Sequence, residues 1–263
     1  RLCMSLTSDI AKNTAIHMVG RMISIVLALV AMAIMTSALG PEGFGGYSTI
    51  IAFLQFFGIT VDFGLTLTAN RMLGAIASKE ESEKLMSNLL TLRLISAVVF
   101  LGIAPLVALL FPYPAVVKQG MFLTSLSFLA IIMGQTLGPV FQKELKMIYP
   151  TLAELFGRIV LVAGVAIAAH VQAGFLWFMA VIVLGSLAQY VILRTCVTPY
   201  LTLRWTLEWS VWRRIILTSW PIGVSIIFNL IYFKADMILL SVWRPQAEVG
   251  FYGGAYRVID QFT

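Results

Sequence analysis

Apolar residues fall along this chain in long runs separated by short polar gaps. The first run, from about Ala15 to Met35, is interrupted only by His17 and Arg21, and the run from Ile50 stays apolar until Asp62. Each is long enough to cross a hydrocarbon layer of ~30 Å as a helix of about 20 residues. Between them lies Ala38-Leu39-Gly40-Pro41-Glu42-Gly43-Phe44-Gly45-Gly46-Tyr47, a break too short to hold a domain. The pattern therefore predicts a tight antiparallel helical hairpin, with spans at about 15–38 and 46–69.

Later spans follow the same rule. Ser78 to Lys84 is the most charged segment and must lie in water, as a helix start at the surface. Span three, about 87–111, is closed by Phe111-Pro112-Tyr113-Pro114, a turn that cannot continue a helix. Span four, about 116–138, is expected to end at Gly138-Pro139. Span five covers about 151–170 and span six about 175–196, joined by Gln172-Ala173-Gly174. Trp205, Trp209 and Trp212 then recur at i, i+4, i+7 among arginines, which predicts a basic amphipathic helix lying at the headgroup level. Span seven runs from about 213 to 242, and span eight starts near 247.

Composition excludes the soluble classes. The chain is 60% hydrophobic and only 11% charged, where soluble domains carry about 25% charged residues. Its net charge of +6 does not point to nucleic acid, because the basic residues sit in the gaps between apolar runs. Placing the N-terminus in the cytoplasm puts Arg1, Lys12, Arg71, Lys79, Lys84, Lys143, Lys146, Arg194, Arg204, Arg213 and Arg214 inside, and leaves only Lys118 and Arg244 outside. Cys3 and Cys196 stand in different segments and form no disulfide framework. The chain begins at Arg1 and stops at Thr263 within an apolar stretch, which reads as a fragment covering the N-terminal half of a longer protein. No cleavable signal is evident, since the first apolar run is too long for a signal core.

The hairpin phrase returns as Ala247-Glu248-Val249-Gly250-Phe251-Tyr252-Gly253-Gly254-Ala255-Tyr256, with Gly45-x-Tyr47 matching Gly250-x-Tyr252 at an offset of 205 residues. Six spans lie between the two. Leu39 to Tyr47, together with Asp236-Met237-Ile238-Leu239-Leu240 and the Glu248 to Arg257 stretch, resembles the first hairpin and the seventh and eighth spans of polysaccharide (O-antigen type) flippases of the multidrug/oligosaccharidyl-lipid/polysaccharide exporter superfamily. That resemblance implies an all-α polytopic membrane protein of two six-helix lobes. Residues 1–198 would form the first lobe, 199–212 an interfacial linker and 213–263 the start of the second lobe. It also implies alternating access around a midplane site, transport of a polyprenyl-diphosphate-linked oligosaccharide in the bacterial inner membrane, and an ion or proton for coupling. Polysaccharide-assembly proteins are candidate partners.

No catalytic constellation, metal-ligand spacing or nucleotide-binding loop is present, and no cofactor is expected. His17 and His170 lie near span ends and suit headgroup contact. Ionisable groups inside spans cost ~3 kcal/mol each and tend to face a cavity or a partner. Lys234 and Asp236 near the middle of span seven are the leading candidates; at i, i+2 they do not share a helical face. Asp62 in span two, Arg21 in span one, and Arg257 and Asp260 in span eight follow. Glu154 and Arg158 are spaced i, i+4 and can pair on one helix. Arg93 and Asn70-Arg71 are read as topological, close to the inner interface. Lys234, Arg21 and Arg158 would contact the phosphates or sugars, with Asp62 and Asp236 balancing charge or coupling ion movement. A lipid II flippase or a cation-coupled drug antiporter of the same superfamily would carry the same pattern. A membrane-embedded polymerase or ligase would need a large outer loop, and the outer gaps here are short.

Overall fold

The structure, a computed structural model, describes the backbone of residues 2–262 and the side chains of residues 14–229, 231, 232 and 235–256. Every described element is an α-helix: α1 (Leu2–Asp62), α2 (Leu65–Ala75), α3 (Lys79–Ala108), α4 (Ala115–Lys143), α5 (Ile148–His170), α6 (Phe175–Val197), α7 (Trp209–Trp243) and α8 (Gln246–Phe262). Six stretches are long and apolar enough to cross a membrane among the described residues, and the first, Thr14–Ala75, is long enough to do so twice.

The hairpin is made by one residue. Gly40 has φ 65° and ψ 179° inside α1, and Pro41 follows it. Only glycine adopts that φ at little cost, and proline begins the next helical turn without needing a donor. The chain folds back there, because Ala28, Ala31, Met32 and Met35 share a cavity of about 60 Å³ with Tyr47. In an unbroken helix Ala28 and Tyr47 would lie about 28 Å apart at 1.5 Å per residue. Residues 43–47, expected in the loop, are already the first turns of the second arm.

Alternating helices place the connections at two ends. One end holds the α2–α3, α4–α5 and α6–α7 links and the basic residues that flank them. The other holds the Gly40 reversal and the α3–α4, α5–α6 and α7–α8 links. Each end has its own core: Leu73, Met86, Leu89, Leu137, Phe141 and Ile215 at the basic end, and Phe44, Ile50, Phe53, Tyr113, Met121 and Phe178 at the other. Lys143 ties the basic end by donating from Nζ to the Ile76 carbonyl (2.7 Å) and Ser82 Oγ (2.9 Å). Phe156, Ile159, Leu184 and Val191 point outward as apolar, exposed side chains, suited to lipid.

Two expectations need correction. α4 does not stop at Gly138-Pro139 but continues to Lys143, with Pro139 inside the helix. The tryptophan segment is not one helix. Residues 201–208 are extended, and only Trp209 and Trp212 belong to α7. The extended form is set by α3. The amides of Thr202, Arg204, Thr206 and Glu208 donate to Glu83 Oε1 (2.9 Å), Ser87 Oγ (3.1 Å), Thr91 Oγ1 (3.1 Å) and Asn88 Oδ1 (2.8 Å). Two extended residues rise about 6.6 Å and four helical residues about 6.0 Å, so the amides of Thr202, Arg204 and Thr206 match Glu83, Ser87 and Thr91 one helical turn apart, and Glu208 turns back to Asn88. These acceptors outweigh the helical spacing of the tryptophans.

The repeated glycine motifs touch each other. A Cβ at Gly45 would overlap the Gln246 carbonyl, and one at Gly250 would overlap the Pro41 carbonyl. Each would also come 3.1 Å from the other glycine's backbone nitrogen. A Cβ at Gly253 would sit 2.5 Å from Ser48 Oγ, and Thr49 Oγ1 donates to Gln246 Oε1 at 3.0 Å. Pro41, Gly45 and Ser48 are the positions equivalent to Gln246, Gly250 and Gly253. The contact is therefore reciprocal, as at a two-fold interface, and small residues allow the backbones to meet. Gly45→Val or Gly250→Val is expected to cost about 1–3 kcal/mol by overpacking, read as a lower melting temperature in detergent. Gly102→Ala, where an added Cβ meets nothing within 4 Å, should melt like the parent. Equal melting of all three would remove the glycine crossing as a constraint.

Candidate functional site

A cavity of about 960 Å³ lies between the second arm of α1, α2, α4, α7 and α8. Its volume is at the upper end of the range for small-molecule pockets. Its polar wall follows helical periodicity. Ser48, Gln55, Asp62, Thr66 and Asn70 line it from the second arm and α2, at steps of seven, seven, four and four, and Gln135 and Gln142 line it from α4, seven apart. Beneath the glycine crossing, Ser48, Ala52, Met237 and Gly253 are buried, while Gln135 and Gln142 are exposed. The cavity is thus closed at the glycine end and opens toward the basic end.

Asp62 sits at a break in the spanning helix. Phe63 (φ 37°) and Gly64 (φ 74°) separate α1 from α2, and the amides of Phe63 and Thr68 still bond Ile59 and Gly64 carbonyls at 3.0 Å each. The break packs against α7, where a Cβ at Gly223 would lie 2.6 Å from the Phe63 ring and one at Gly64 3.1 Å from the Gly223 nitrogen. Into this break reaches Arg93 from α3. Its Nη2 forms an ion pair with Asp62 Oδ1 and donates to Thr66 Oγ1 at 2.6 Å. Thr66 in turn donates to Asp62 Oδ1 at 2.5 Å. Arg93 Nη1 donates to Thr136 Oγ1 at 3.1 Å, and Thr136 donates its own proton to the Ile132 carbonyl at 2.8 Å. Arg93 is 0% exposed. A guanidinium so placed needs a counter-charge and hydrogen-bond acceptors; Asp62 and two threonines supply them at Nη1 and Nη2, and Nε has no partner among the described residues.

The expected site residues fall into separate groups. Asp62 lines the cavity. Arg21, Glu154 and Arg158 lie together between the first arm of α1 and α5, with Glu154 Oε1 3.8 Å from Arg21 Nη1 and 4.0 Å from Arg158 Nη2. The i, i+4 pair within α5 is thus shared with α1, and His17 Nδ1 meets Thr151 Oγ1 at 3.2 Å nearby. Asp236 is exposed and accepts from the Tyr252 hydroxyl of α8 and from the neighbouring Met237 amide at 2.8 Å. The side chains of Lys234, Arg257 and Asp260 lie outside the described residues. Among the described residues no three His, Cys, Asp or Glu side chains gather as a metal site.

The sequence places Arg93 near the interface, yet it is buried as the partner of Asp62. Gln55, Gln135 and Gln142 escape a reading based on charge because their side chains carry none, and Asn70, read with Arg71 as topological, lines the cavity beside them. Their regular steps along otherwise apolar spans are the available signal. Asp62→Asn leaves the buried guanidinium without its counter-charge and is expected to destabilise the protein by about 3 kcal/mol in denaturant unfolding. Adding Arg93→Met should recover more than half of that loss. Strict additivity of the two losses would show that the pair is not coupled.

Comparison with solved structures finds the same architecture among transporters. The MATE multidrug transporter DinF-BH matches with a TM-score of 0.68 at 17% identity, over 97% of this chain and 60% of that one. A MOP superfamily transporter from Pyrococcus furiosus matches at TM-score 0.63 and 15% identity, over 94% and 62%. The eukaryotic MATE transporter AtDTX14 matches at TM-score 0.63 and 14% identity, over 91% and 58%. These identities show the fold, and this chain spans about three-fifths of the length of those proteins. A comparison with curated proteins finds no match. The sequence family described as polysaccharide biosynthesis protein matches residues 10–260, so the chain belongs to that family and carries the fold of MOP superfamily transporters.

Proposed function

We propose that the intact protein is a flippase that moves a polyprenyl-diphosphate-linked oligosaccharide across the bacterial inner membrane for surface polysaccharide synthesis. The observation that carries this reading is the cavity of about 960 Å³, largely apolar but with one polar wall, held between helices on both sides of a repeated motif, in a member of the polysaccharide biosynthesis family. Such a cargo has a sugar head that lipid cannot dissolve and a tail that can stay in lipid. A closed end at the glycine crossing and an open basic end are the geometry of one state of an alternating-access cycle.

In this reading residues 1–198 form the first lobe, 199–212 the link and 213–263 the start of the second lobe. The basic end faces the cytoplasm, since cytoplasmic loops carry the excess of lysine and arginine. Arg21 and Arg158 around Glu154 leave one net positive charge on the α1–α5 surface, suited to the diphosphate as it enters from the bilayer. Lys234 adds a second cationic contact from α7. Coupling to a proton or cation would draw on Asp236, whereas Asp62 is balanced by Arg93 and serves to hold the break. Assembly proteins of the same polysaccharide would take up the product outside.

A drug/cation antiporter is the competing reading, and the MATE transporters of like fold favour it. The test is complementation of a deletion strain. Arg21→Gln with Arg158→Gln, or Lys234→Ala alone, is expected to reduce surface polysaccharide at least about tenfold while membrane protein level holds, with lipid-linked oligosaccharide accumulating inside. Normal display in both variants would sink the flippase assignment of these residues. Restored drug efflux with unchanged polysaccharide would favour the antiporter.

A further inference from the structure

Five hydrogen-bonding groups on the cavity wall have no protein partner among the described residues. Ser48 Oγ and Asn70 Oδ1 are buried and unpaired. Gln55, Gln135 and Gln142 line the same space, and their side chains make no hydrogen bond among the described residues. Pro139, on the same wall, has no N–H to give the Gln135 carbonyl one turn earlier in α4. Leaving the two buried groups, Ser48 Oγ and Asn70 Oδ1, unpaired costs about 1–3 kcal/mol each, while Gln55 is half-buried and Gln135 and Gln142 are exposed. A wall with this many is built to be filled by something that hydrogen-bonds.

The chemistry of the wall selects what fills it. A carboxamide offers donors and an acceptor together, which complements a hydroxyl that both donates and accepts. A diphosphate only accepts, so it would use the N–H and O–H donors of this wall and leave its carboxamide and carbonyl oxygens unpaired. The one described charged side chain on the wall is Asp62, an acid. We propose that Ser48, Gln55, Asn70, Gln135 and Gln142 form a glycan subsite that reads the hydroxyl groups of the cargo's sugars, while the diphosphate is held elsewhere. Gln135 and Gln142 lie about 10 Å apart along α4 at 1.5 Å per residue, so they contact successive parts of an extended sugar head. This subsite rests on the lipid-linked oligosaccharide reading of the protein.

The two are separated by binding to the purified full-length protein in lipid nanodiscs. The probes are undecaprenyl diphosphate without sugar, and the same lipid diphosphate bearing a hexose, an N-acetylhexosamine or a hexuronic acid. The parent should bind at least one sugar-bearing probe about tenfold more tightly than the bare lipid, an increment equal to one or two hydrogen bonds. Gln135→Leu with Gln142→Leu should abolish that increment and leave affinity for the bare lipid unchanged. Arg21→Gln with Arg158→Gln should weaken bare and sugar-bearing probes alike. Because the glutamines make no hydrogen bond among the described residues, the double variant should melt as the parent does. If a melting shift shows otherwise, Gln55→Leu carries the same comparison. Parent protein that binds the bare lipid but gains nothing from any of the three sugars overturns the glycan subsite and leaves water as the filling. Parent protein that binds none of the four probes overturns the lipid-diphosphate reading itself.

Discussion

The contact on which the rest of this structure depends is the meeting of two backbones at Gly45 and Gly250. No side chain separates them, and each lies against the carbonyl of the residue four positions before the other. In a membrane, apolar side chains gain little by leaving lipid for protein, so helix association relies on close packing. Glycine at both positions provides it. Because the contact joins equivalent points of a repeated motif, it also fixes the relative depth of the second arm and α8. Every other feature of the cavity is set from there: Ser48 and Gly253 close it one turn below, and the polar face of the second arm descends from that point.

The opposite end of the cavity is held by a different physics. Arg93 is buried in the middle of α3 and binds α1, α2 and α4 through Asp62, Thr66 and Thr136. The same helix presents Glu83, Ser87, Asn88 and Thr91 to the extended segment before α7, and Lys84 pairs with Glu208 at 2.6 Å. α3 thereby connects the break in the second span to the entry of the helix that packs on that break. Movement of α7 against the first six helices would have to arise beyond this clamp, where Ile222 and Gly223 meet Phe63 and Gly64.

Hydropathy makes the spans legible, because twenty apolar residues have few alternatives to crossing a bilayer. The echo of Gly45 in Gly250 is legible too, but its meaning is not: similarity marks a repeat without saying that its copies touch. Arg93 is misplaced by the sequence for a geometric reason. Counting span three from residue 87 puts Arg93 less than two turns from its start, whereas α3 begins at Lys79 and places Arg93 near its midpoint. The tryptophan segment misleads because helical spacing is a local signal, and the acceptors that hold residues 201–208 extended come from a helix more than a hundred residues earlier. Gly40 is visible as a turn residue, yet only the backbone shows that a single positive φ suffices and that Gly43 to Tyr47 are already helical. The amide wall is hidden when charge alone marks a candidate, though its period is written in the second and fourth spans.

The most direct measurement is side-selective labelling of single cysteines with a membrane-impermeant maleimide, using Ser48→Cys and Gln142→Cys in a background without Cys3 and Cys196. With the glycine crossing closed, Gln142→Cys should react from the face that carries the basic loops, and Ser48→Cys should be protected from the opposite face. Adding Gly250→Val should open Ser48→Cys to that opposite face. Ready labelling of Ser48→Cys from there in the unaltered glycine background, with Gln142→Cys shielded, would contradict the closure that the Gly45–Gly250 contact is held to make.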